Sequence, residues 1–383
     1  MNLLWLESVN FDNTPARLDE SLGKGTSKVM QYRESMLERL DAAFEAAQRL
    51  PADGPVRGVL TDVYFDQQRL RIENESDFEN ALWPPLFVYV LTPGRTSEQI
   101  VLLDQDVTRI RDHSPDDRAQ VAAWLDASAT EGRRWRGGFF EASMKARTLD
   151  FASGRTDTVV TFDAPLPSGR NADICLTVGE RSYFLECTVI TESDEDQAVH
   201  EAWLESRKEN PGVVLTRPGP LDPPGAKGPS PYYDANRFYI KVFDKLQKDG
   251  DRTKTQTADD SPNLLLLSCF PVFGSPLPFS PALGWAFDEL FCAQPNMGSV
   301  KVMPTDSAIT DISLMTFLRR QWPSTAHELI GCPARLSGTL VFNCLGFQSS
   351  RMNYSVRPEH DISHEEMVFL ESVFRPIRGW DVF

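Results

Sequence analysis

The sequence has no apolar run that approaches the roughly 20 residues needed to cross a bilayer. Its longest run of one apolar residue, Leu264 to Leu267, is short and typical of a buried strand. The first residues lack the basic start and the extended apolar segment of a secretory signal. The six cysteines form no C-x-x-C pair. These absences predict a protein of the reducing cytoplasm with no membrane association.

Several enzyme signatures are missing as well. The sequence contains no G-x-x-x-x-G-K-[ST] phosphate loop and no G-x-G-x-x-G dinucleotide fingerprint. It also lacks the G-x-S-x-G elbow of serine hydrolases. The hydrophobic share of 41% is ordinary for a folded protein. The pattern therefore indicates a globular protein and argues against ATP, NAD or serine-hydrolase chemistry.

Positive charge is scarce, because the formal net charge is −16. Such a chain is not suited to coating long nucleic acids, since phosphate neutralisation supplies most non-specific affinity. Two segments have the opposite balance: residues 131–155 and 237–254 each carry six basic and three acidic side chains. They predict either small basic patches or ordinary solvated helix faces.

At 383 residues, the chain is long enough for two units. We expect an N-terminal α+β region at 1–130, whose role the sequence does not indicate. Its predicted elements are a helix at 28–49, strands at 56–63, 67–72, 86–91 and 99–103, and a helix from Pro115 to about Asp126.

A second unit, 131–383, is predicted to be α/β with a mixed central sheet flanked by helices. Its predicted helices are 135–149, 194–208, 235–249, 282–293 and 363–373, and its predicted strands are 158–163, 171–178, 181–190, 263–269 and 336–344. Residues 209–233 form a long loop rich in proline and glycine.

Residues 170–190 carry the strongest chemical pattern. A two-residue turn at Gly179-Glu180 predicts a hairpin in which Asp173 lies opposite Glu186. Because side chains alternate along a strand, Asp173, Glu186 and Thr188 are expected on one face. The opposite face is predicted to be core, and it carries Ala172, Ile174, Leu176, Leu185 and Val189. The carboxylate end of the first face is predicted to lie outside the core.

Two carboxylates at this spacing repel each other by roughly 3 kcal/mol at an effective dielectric near 20. Protonation of one acid, a nearby cation or a bridging divalent metal relieves the repulsion. Hard oxygen ligands suit Mg²⁺ or Mn²⁺ better than zinc. Alternatively, a register slip separates the acids, or Arg170 or a lysine pairs with them.

At these residues the sequence resembles the PD-(D/E)XK nuclease superfamily. Asp173, after Gly169-Arg170-Asn171-Ala172, matches the aspartate of the family's Pro-Asp step, and Glu186-Cys187-Thr188 matches its E-x-K triplet. Glu141 matches the acid on the preceding helix. The resemblance covers roughly 135–270 and implies a restriction-endonuclease-like core with one Mg²⁺ or Mn²⁺ held by Asp173 and Glu186, helped by Glu141 and the Cys187 carbonyl.

The sequence departs from the family pattern at two positions. Ala172 replaces a proline that only shapes the backbone. Thr188 replaces the lysine that holds the attacking water, and a hydroxyl cannot supply that positive charge. In divergent members this lysine migrates to the following helix, where Lys241 and Lys245 lie four residues apart. We expect Lys245 to be the substitute, with Lys241 as the other natural choice and Gln247 and Lys248 as weaker possibilities.

The resemblance implies metal-dependent hydrolysis of phosphodiester bonds in nucleic acid, with DNA preferred to RNA as substrate. Four basic residues are expected to contact the phosphates: Arg134, Arg136, Lys145 and Arg170. The alternative is a weak or inactive nuclease fold that serves as a binding scaffold, with protein partners or as a homo-oligomer. In a third reading, the region 1–130 reads DNA sequence for a restriction-type enzyme.

Overall fold

The structure is a computed structural model, and it describes residues 21–74, 96–130, 135–190, 231–269, 290, 314–343, 346–352 and 361–376. The chain divides into two compact units, and the boundary falls between Ala146 and Arg147. The sequence predicts a boundary near residue 130.

The described part of the first unit is helical. Its helices are α1 (Ser21–Gln48), α2 (Pro55–Val59), α3 (Asp62–Asn74), α4 (Thr96–His113), α5 (Pro115–Thr130) and α6 (Trp135–Ala152), and α6 runs across the unit boundary. The predicted strands at 56–63, 67–72 and 99–103 are therefore wrong, and the one at 86–91 lies outside the described residues. An N-terminal α+β region is corrected to a helical one over the described ranges. No helix described in either unit is both long enough and apolar enough to span a membrane.

Local chemistry explains why these segments form helices. Pro55 stands in the first turn of α2, where its missing N–H costs nothing. The backbone N–H of Val56 donates to the side chain of Asp104 at 3.0 Å, which satisfies one of the helix's first donors. On α4, Ile100, Leu103 and Val107 are buried at helical spacing. The short apolar alternation at 99–103 predicts a strand. The segment is helical instead, because its apolar residues are buried along one face of α4.

The predicted start of α5 is confirmed. The Ser114 hydroxyl accepts a hydrogen bond from the Asp117 N–H at 3.2 Å, as an N-cap residue does. The same hydroxyl donates to the Asp117 carboxylate at 2.6 Å.

The second unit is α/β and contains a mixed sheet of six strands in the order β1-β2-β3-β4-β5-β6. The strands are β1 (Thr158–Pro165), β2 (Asn171–Val178), β3 (Arg181–Ile190), β4 (Asn263–Cys269), β5 (Gly338–Asn343) and β6 (Gly346–Met352). The helices that follow α6 are α7 (Pro231–Leu246), α8 (Leu314–Gln321), α9 (Ala326–Leu329) and α10 (His364–Phe374).

Strand β2 pairs antiparallel with β1 and with β3. Strand β4 pairs parallel with β3 and with β5, and β6 pairs antiparallel with β5. The predicted strands that became β1 to β5, the helix that became α7 and the terminal helix are confirmed, with shifts of a few residues at their ends. The predicted helix at 194–208 and nearly all of the predicted loop at 209–233 lie outside the described residues, as does nearly all of 282–293. The last three residues of that loop belong to α7, which begins at Pro231.

Helix α7 covers one face of the sheet. Its apolar stripe packs with β-strand residues and with α8 in one buried cluster that includes Phe238, Tyr239, Val242, Phe243, Leu246, Ile190, Leu265, Leu267, Phe317 and Leu318. Leu265 and Leu267 stand beside Glu186 and Thr188 in the parallel pairing of β3 and β4. The face that carries Glu186 is therefore a covered face.

Helix α10 begins at a capping box. The Ser363 side chain accepts from the Glu366 N–H at 3.1 Å, and the Glu366 carboxylate accepts from the Ser363 N–H at 2.8 Å. The other oxygen of Glu366 accepts hydrogen bonds from Tyr183 at 2.9 Å and Arg181 at 3.0 Å. These contacts fasten α10 to β3.

Candidate functional site

The hairpin of β2 and β3 has the register that its turn predicts. Ile174 lies opposite Leu185 and Val178 lies opposite Arg181. Gly179 has φ +59°, the sign that the first central position of a type II′ turn requires. The prediction that places Asp173 level with Glu186 follows from this register.

The regular ladder ends at Ile174 and Leu185, one step before the two acids. Beyond that point the carboxylates of Asp173 and Glu186 accept hydrogen bonds from the backbone N–H groups. The Cys187 N–H donates to Asp173 Oδ2 at 2.7 Å, and the Asp173 N–H donates to Glu186 Oε1 at 3.3 Å. This reciprocal exchange holds both acids at the open end of the hairpin.

Lys245, from the last turn of α7, lies between the two acids. Its Nζ atom is 3.0 Å from Asp173 Oδ2 and 3.0 Å from Glu186 Oε2. The exposed fractions of the side chains are 15% for Asp173, 1% for Glu186 and 19% for Lys245. Solvent therefore reaches the cluster at Asp173 and Lys245, while Glu186 forms its buried wall.

Burial and charge act in opposite directions on this cluster. Burial raises the pKa of Glu186 well above its ordinary value, and the neighbouring Asp173 raises it further, while Lys245 lowers it. Burial alone would lower the pKa of Lys245, but the charges of Glu186 and Asp173 outweigh burial and raise it. Lys245 therefore keeps its positive charge at neutral pH, and this charge offsets the repulsion between the acids.

The prediction that the carboxylate end of this face lies outside the core is wrong for Glu186. Ala172, Ile174 and Leu185 are buried on the opposite face as expected, yet Glu186 and Thr188 are buried too. Glu186 and Thr188 are buried because α7 packs over their face of the sheet. The sequence predicts this helix but not the face against which it packs.

Thr188, at the family's lysine position, is 4% exposed and lies two residues beyond Glu186 on the same face. Among the described residues its hydroxyl has no hydrogen-bond partner. Lys241, one turn before Lys245, is exposed, and its charge lowers the pKa of Asp244 against the larger effect of burial. Of the two lysines, Lys245 is the one that contacts the acids.

Other predicted site residues have different surroundings. Glu141 and Lys145 lie in the first unit, where the Lys145 ammonium pairs with Glu141 Oε1 at 2.8 Å and Gln120 donates to that same oxygen at 3.1 Å. Lys145 is 1% exposed, so it does not form part of an open basic surface. Arg134 and the side chain of Arg136 lie outside the described residues.

Arg170 lies directly before β2, and its guanidinium faces protein acceptors. It donates to the carbonyl oxygens of Asp244 at 2.6 Å and Gln247 at 3.2 Å, which flank Lys245 at the end of α7. It also donates to the Lys254 carbonyl at 3.3 Å and to the Gln256 side chain at 2.7 Å. The sequence contained no signal for these contacts, because they join segments far apart in the chain.

A kink in the edge strand is a second feature that the sequence did not indicate. Asp163 occupies the position on β1 across from Asp173, since Phe162 pairs with Ile174 and Ala164 pairs with Ala172. Asp163 has φ +48°, a left-handed conformation that aspartate tolerates better than most residues. The regular pairing omits it, so the strand bends beside the acids.

The oxygen donors at the hairpin suit a hard divalent cation. Mg²⁺ is commonly bound through one or two carboxylates, with water completing its shell. Asp173 and Glu186 supply two carboxylates, and among the described residues the Oδ1 atom of Asp173 accepts no hydrogen bond. No group of three or more His, Cys, Asp or Glu side chains that could hold a metal ion is found within the described ranges. An ion here would therefore have the two acids as its side-chain ligands, and Lys245 already lies 3.0 Å from a carboxylate oxygen of each.

Comparisons with protein-family models, with curated proteins and with solved structures found no match to this chain.

Proposed function

We propose that this protein is a metal-dependent nuclease that hydrolyses phosphodiester bonds, with DNA as the preferred substrate, through a divergent PD-(D/E)XK-type site. The observation that carries the proposal is the position of Lys245, 3.0 Å from both Asp173 and Glu186. A lysine from the following helix thus supplies the charge that Thr188 cannot. The antiparallel hairpin followed by parallel β4, with a helix over the acidic face, agrees with a restriction-endonuclease-like core.

Asp173 and Glu186, with the Cys187 carbonyl, would hold one Mg²⁺ or Mn²⁺. When bound, such an ion activates water and neutralises charge on the phosphate. The protein's own contribution is electrostatic. Lys245 keeps a full positive charge in a site largely closed to solvent, where fixed charges act more strongly than in water. From there it would orient the attacking water and pair with a phosphate oxygen.

The remaining predicted residues have smaller proposed parts. The Thr188 hydroxyl lies on the face of Glu186 and would bond a water molecule of the site. Lys241 is exposed one turn away and would attract the nucleic-acid backbone. Arg134 and Arg136 are the other proposed phosphate contacts. Because the net charge is −16, binding must rest on local basic groups rather than on the overall charge.

A cleavage assay tests the proposal. Supercoiled plasmid and labelled single- and double-stranded DNA and RNA are incubated with the purified chain and Mg²⁺, Mn²⁺ or EDTA. We expect cleavage with either metal, none with EDTA, and a loss of about 100-fold or more in Asp173→Asn and Glu186→Gln, as for removal of a group that stabilises the transition state. The matched control is Glu180→Gln, an exposed acid at the turn of the same hairpin. If all variants cleave as fast as the native chain, the cleavage comes from a contaminant and the proposal is overturned.

A second candidate is a non-enzymatic binding scaffold, and one observation favours it. Lys245 already pairs with both acids, and Glu186 is 1% exposed, so the three residues can serve as a buried ion cluster that needs no metal. Calorimetry with Mn²⁺ separates the two functions. The nuclease requires heat of binding that disappears in Glu186→Gln and persists in Glu180→Gln, whereas the scaffold requires none in any variant.

A further inference from the structure

Arg170 links the strand that carries Asp173 to the helix end that carries Lys245. It precedes β2 by one residue and Asp173 by two more. The turn around it is fixed, since its carbonyl accepts from the Leu166 N–H at 2.9 Å and the Gly169 N–H donates to the Leu166 carbonyl at 3.0 Å. Gly169 has φ +76°, which glycine adopts without strain. The backbone of Arg170 is therefore held by the turn between β1 and β2.

The guanidinium binds the end of α7 at two points. The last carbonyl oxygens of a helix have no partner inside it, and a cation there is also favoured by the helix dipole. Arg170 donates to the carbonyls of Asp244 and Gln247, one on each side of the turn that contains Lys245. The Lys245 carbonyl itself accepts from the Gln256 N–H at 2.7 Å.

Gln256 also connects the start of β2 to the segment after α7. Its Oε1 atom accepts from Arg170 at 2.7 Å, and its Nε2 atom donates to the Asn171 carbonyl at 2.9 Å. The segment after α7 is thus joined both to the start of β2 and to the backbone of Lys245. These acceptors need several donors in fixed positions, which the planar guanidinium of Arg170 provides. A lysine ammonium cannot replace it.

We propose that Arg170 is a positioning residue: it holds the end of α7 so that the Lys245 ammonium stays between Asp173 and Glu186. This inference rests on the proposed function for its catalytic consequence. It also replaces the expectation that Arg170 contacts phosphate, because the guanidinium already bonds four protein acceptors.

The test measures Lys245 directly, without requiring activity. Purified chain is pulse-labelled with an amine-acylating reagent, and each lysine is quantified by peptide mass spectrometry. In the native protein Lys245 reacts more slowly than exposed Lys241 on the same helix, because its ammonium is largely buried between two carboxylates. In Arg170→Ala and Arg170→Lys we expect its rate relative to Lys241 to rise by about tenfold, because the released end of α7 exposes the Lys245 ammonium more often. The control is Arg181→Ala, which removes an arginine that fastens β3 to α10 instead.

Gln256→Ala is the milder variant if Arg170→Ala does not fold, and it is expected to raise the Lys245 rate in the same direction by a smaller factor. Unchanged protection of Lys245 in folded Arg170→Lys and Gln256→Ala overturns the positioning role. Equal increases in Arg181→Ala overturn it as well, since they would reflect general loosening.

Cleavage kinetics then separate positioning from phosphate binding. A positioning residue predicts a fall in kcat of about 100-fold with little change in KM, because small misplacements at a reacting centre have effects of that size. Arg170→Lys should be as impaired as Arg170→Ala. A raised KM that Arg170→Lys restores, with a shallower salt dependence in Arg170→Ala, would instead assign Arg170 to phosphate contact. If the native chain cleaves nothing, the proposed function fails, and the labelling rates alone decide the positioning role.

Discussion

The Nζ atom of Lys245 lies 3.0 Å from Oδ2 of Asp173, although the two residues are separated by 72 positions in the chain. The same carboxylate oxygen accepts the Cys187 N–H, so the lysine and the strand backbone share one acceptor. Lys245 also pairs with Glu186, and the three side chains form one charged unit at the open end of a hairpin.

Replacing Lys245 by methionine should both destabilise the fold and stop catalysis. Loss of one partner from a largely buried ion pair costs about 3–5 kcal/mol, because the remaining charges are left uncompensated. Urea unfolding should show that loss, and cleavage should fall by about 100-fold or more. Lys241→Met is the control, since an exposed lysine on the same helix is expected to change stability by less than about 0.5 kcal/mol. Similar midpoints for both variants would contradict the ion-pair role of Lys245.

Moving the lysine back to the hairpin should restore part of the activity. Thr188→Lys in the Lys245→Met background places an ammonium two residues from Glu186 on the same face. We expect cleavage at least about tenfold above that of Lys245→Met alone, which corresponds to about 1.4 kcal/mol of transition-state stabilisation. Activity as low as in the single variant would mean that the charge is needed specifically from α7.

Acid stability should depend on Glu366. Burial raises the pKa of Glu366, but hydrogen bonds from Ser363 and Tyr183 and the charge of Arg181 outweigh it and hold the pKa below its ordinary value. A lowered folded-state pKa contributes stability that is present above the unfolded-state value and lost as pH falls through the folded-state value.

Glu366→Gln should therefore be less stable than the native chain at pH 7, by about 0.5–2 kcal/mol for loss of a capping interaction. The difference should shrink as the pH falls below about 4.3, the ordinary glutamate value. Denaturant unfolding across this pH range measures it, with the exposed neighbour Glu365→Gln as control. A difference that stays constant with pH would show that the charge of Glu366 plays no part.

Two adjacent glycines in α6 should respond oppositely to alanine. A Cβ atom on Gly138 would overlap the Trp124 ring, whereas a Cβ on Gly137 would meet nothing within 4 Å. Gly138→Ala should lower the unfolding free energy by about 1–3 kcal/mol through overpacking. Gly137→Ala should raise it by up to about 1 kcal/mol, because alanine favours the helix. Thermal unfolding of both variants tests the packing of α6 against Trp124, and equal shifts would refute it.

Much of the second unit could be predicted from the sequence because its signals are local. A glycine at the turn and alternating side chains determined the register of β2 and β3, and four consecutive leucines marked β4. The resemblance to the nuclease superfamily also indicated a lysine on the following helix near the acids, with Lys245 preferred. The contact is found, while its catalytic role stays a proposal.

The failures have a common physical cause. The segments that became α2 and α3 are short and mixed, and their helical form depends on burial against other helices and on Asp104, which is distant in sequence. Likewise, the burial of Glu186 depends on where α7 packs. The contacts of Arg170 join three separate segments, and no periodicity in a single sequence encodes such a pairing.

Metal-dependent cleavage at this site requires the two acids to hold a metal while Lys245 remains beside them. A crystal structure of the chain soaked in Mn²⁺, with anomalous scattering recorded for manganese, measures this directly. We predict one manganese peak bound by the carboxylates of Asp173 and Glu186, which disappears in crystals of Asp173→Asn. Full soaking with no peak at these residues, and with Lys245 still bonded to both acids, would contradict the metal site and the nuclease proposed from it.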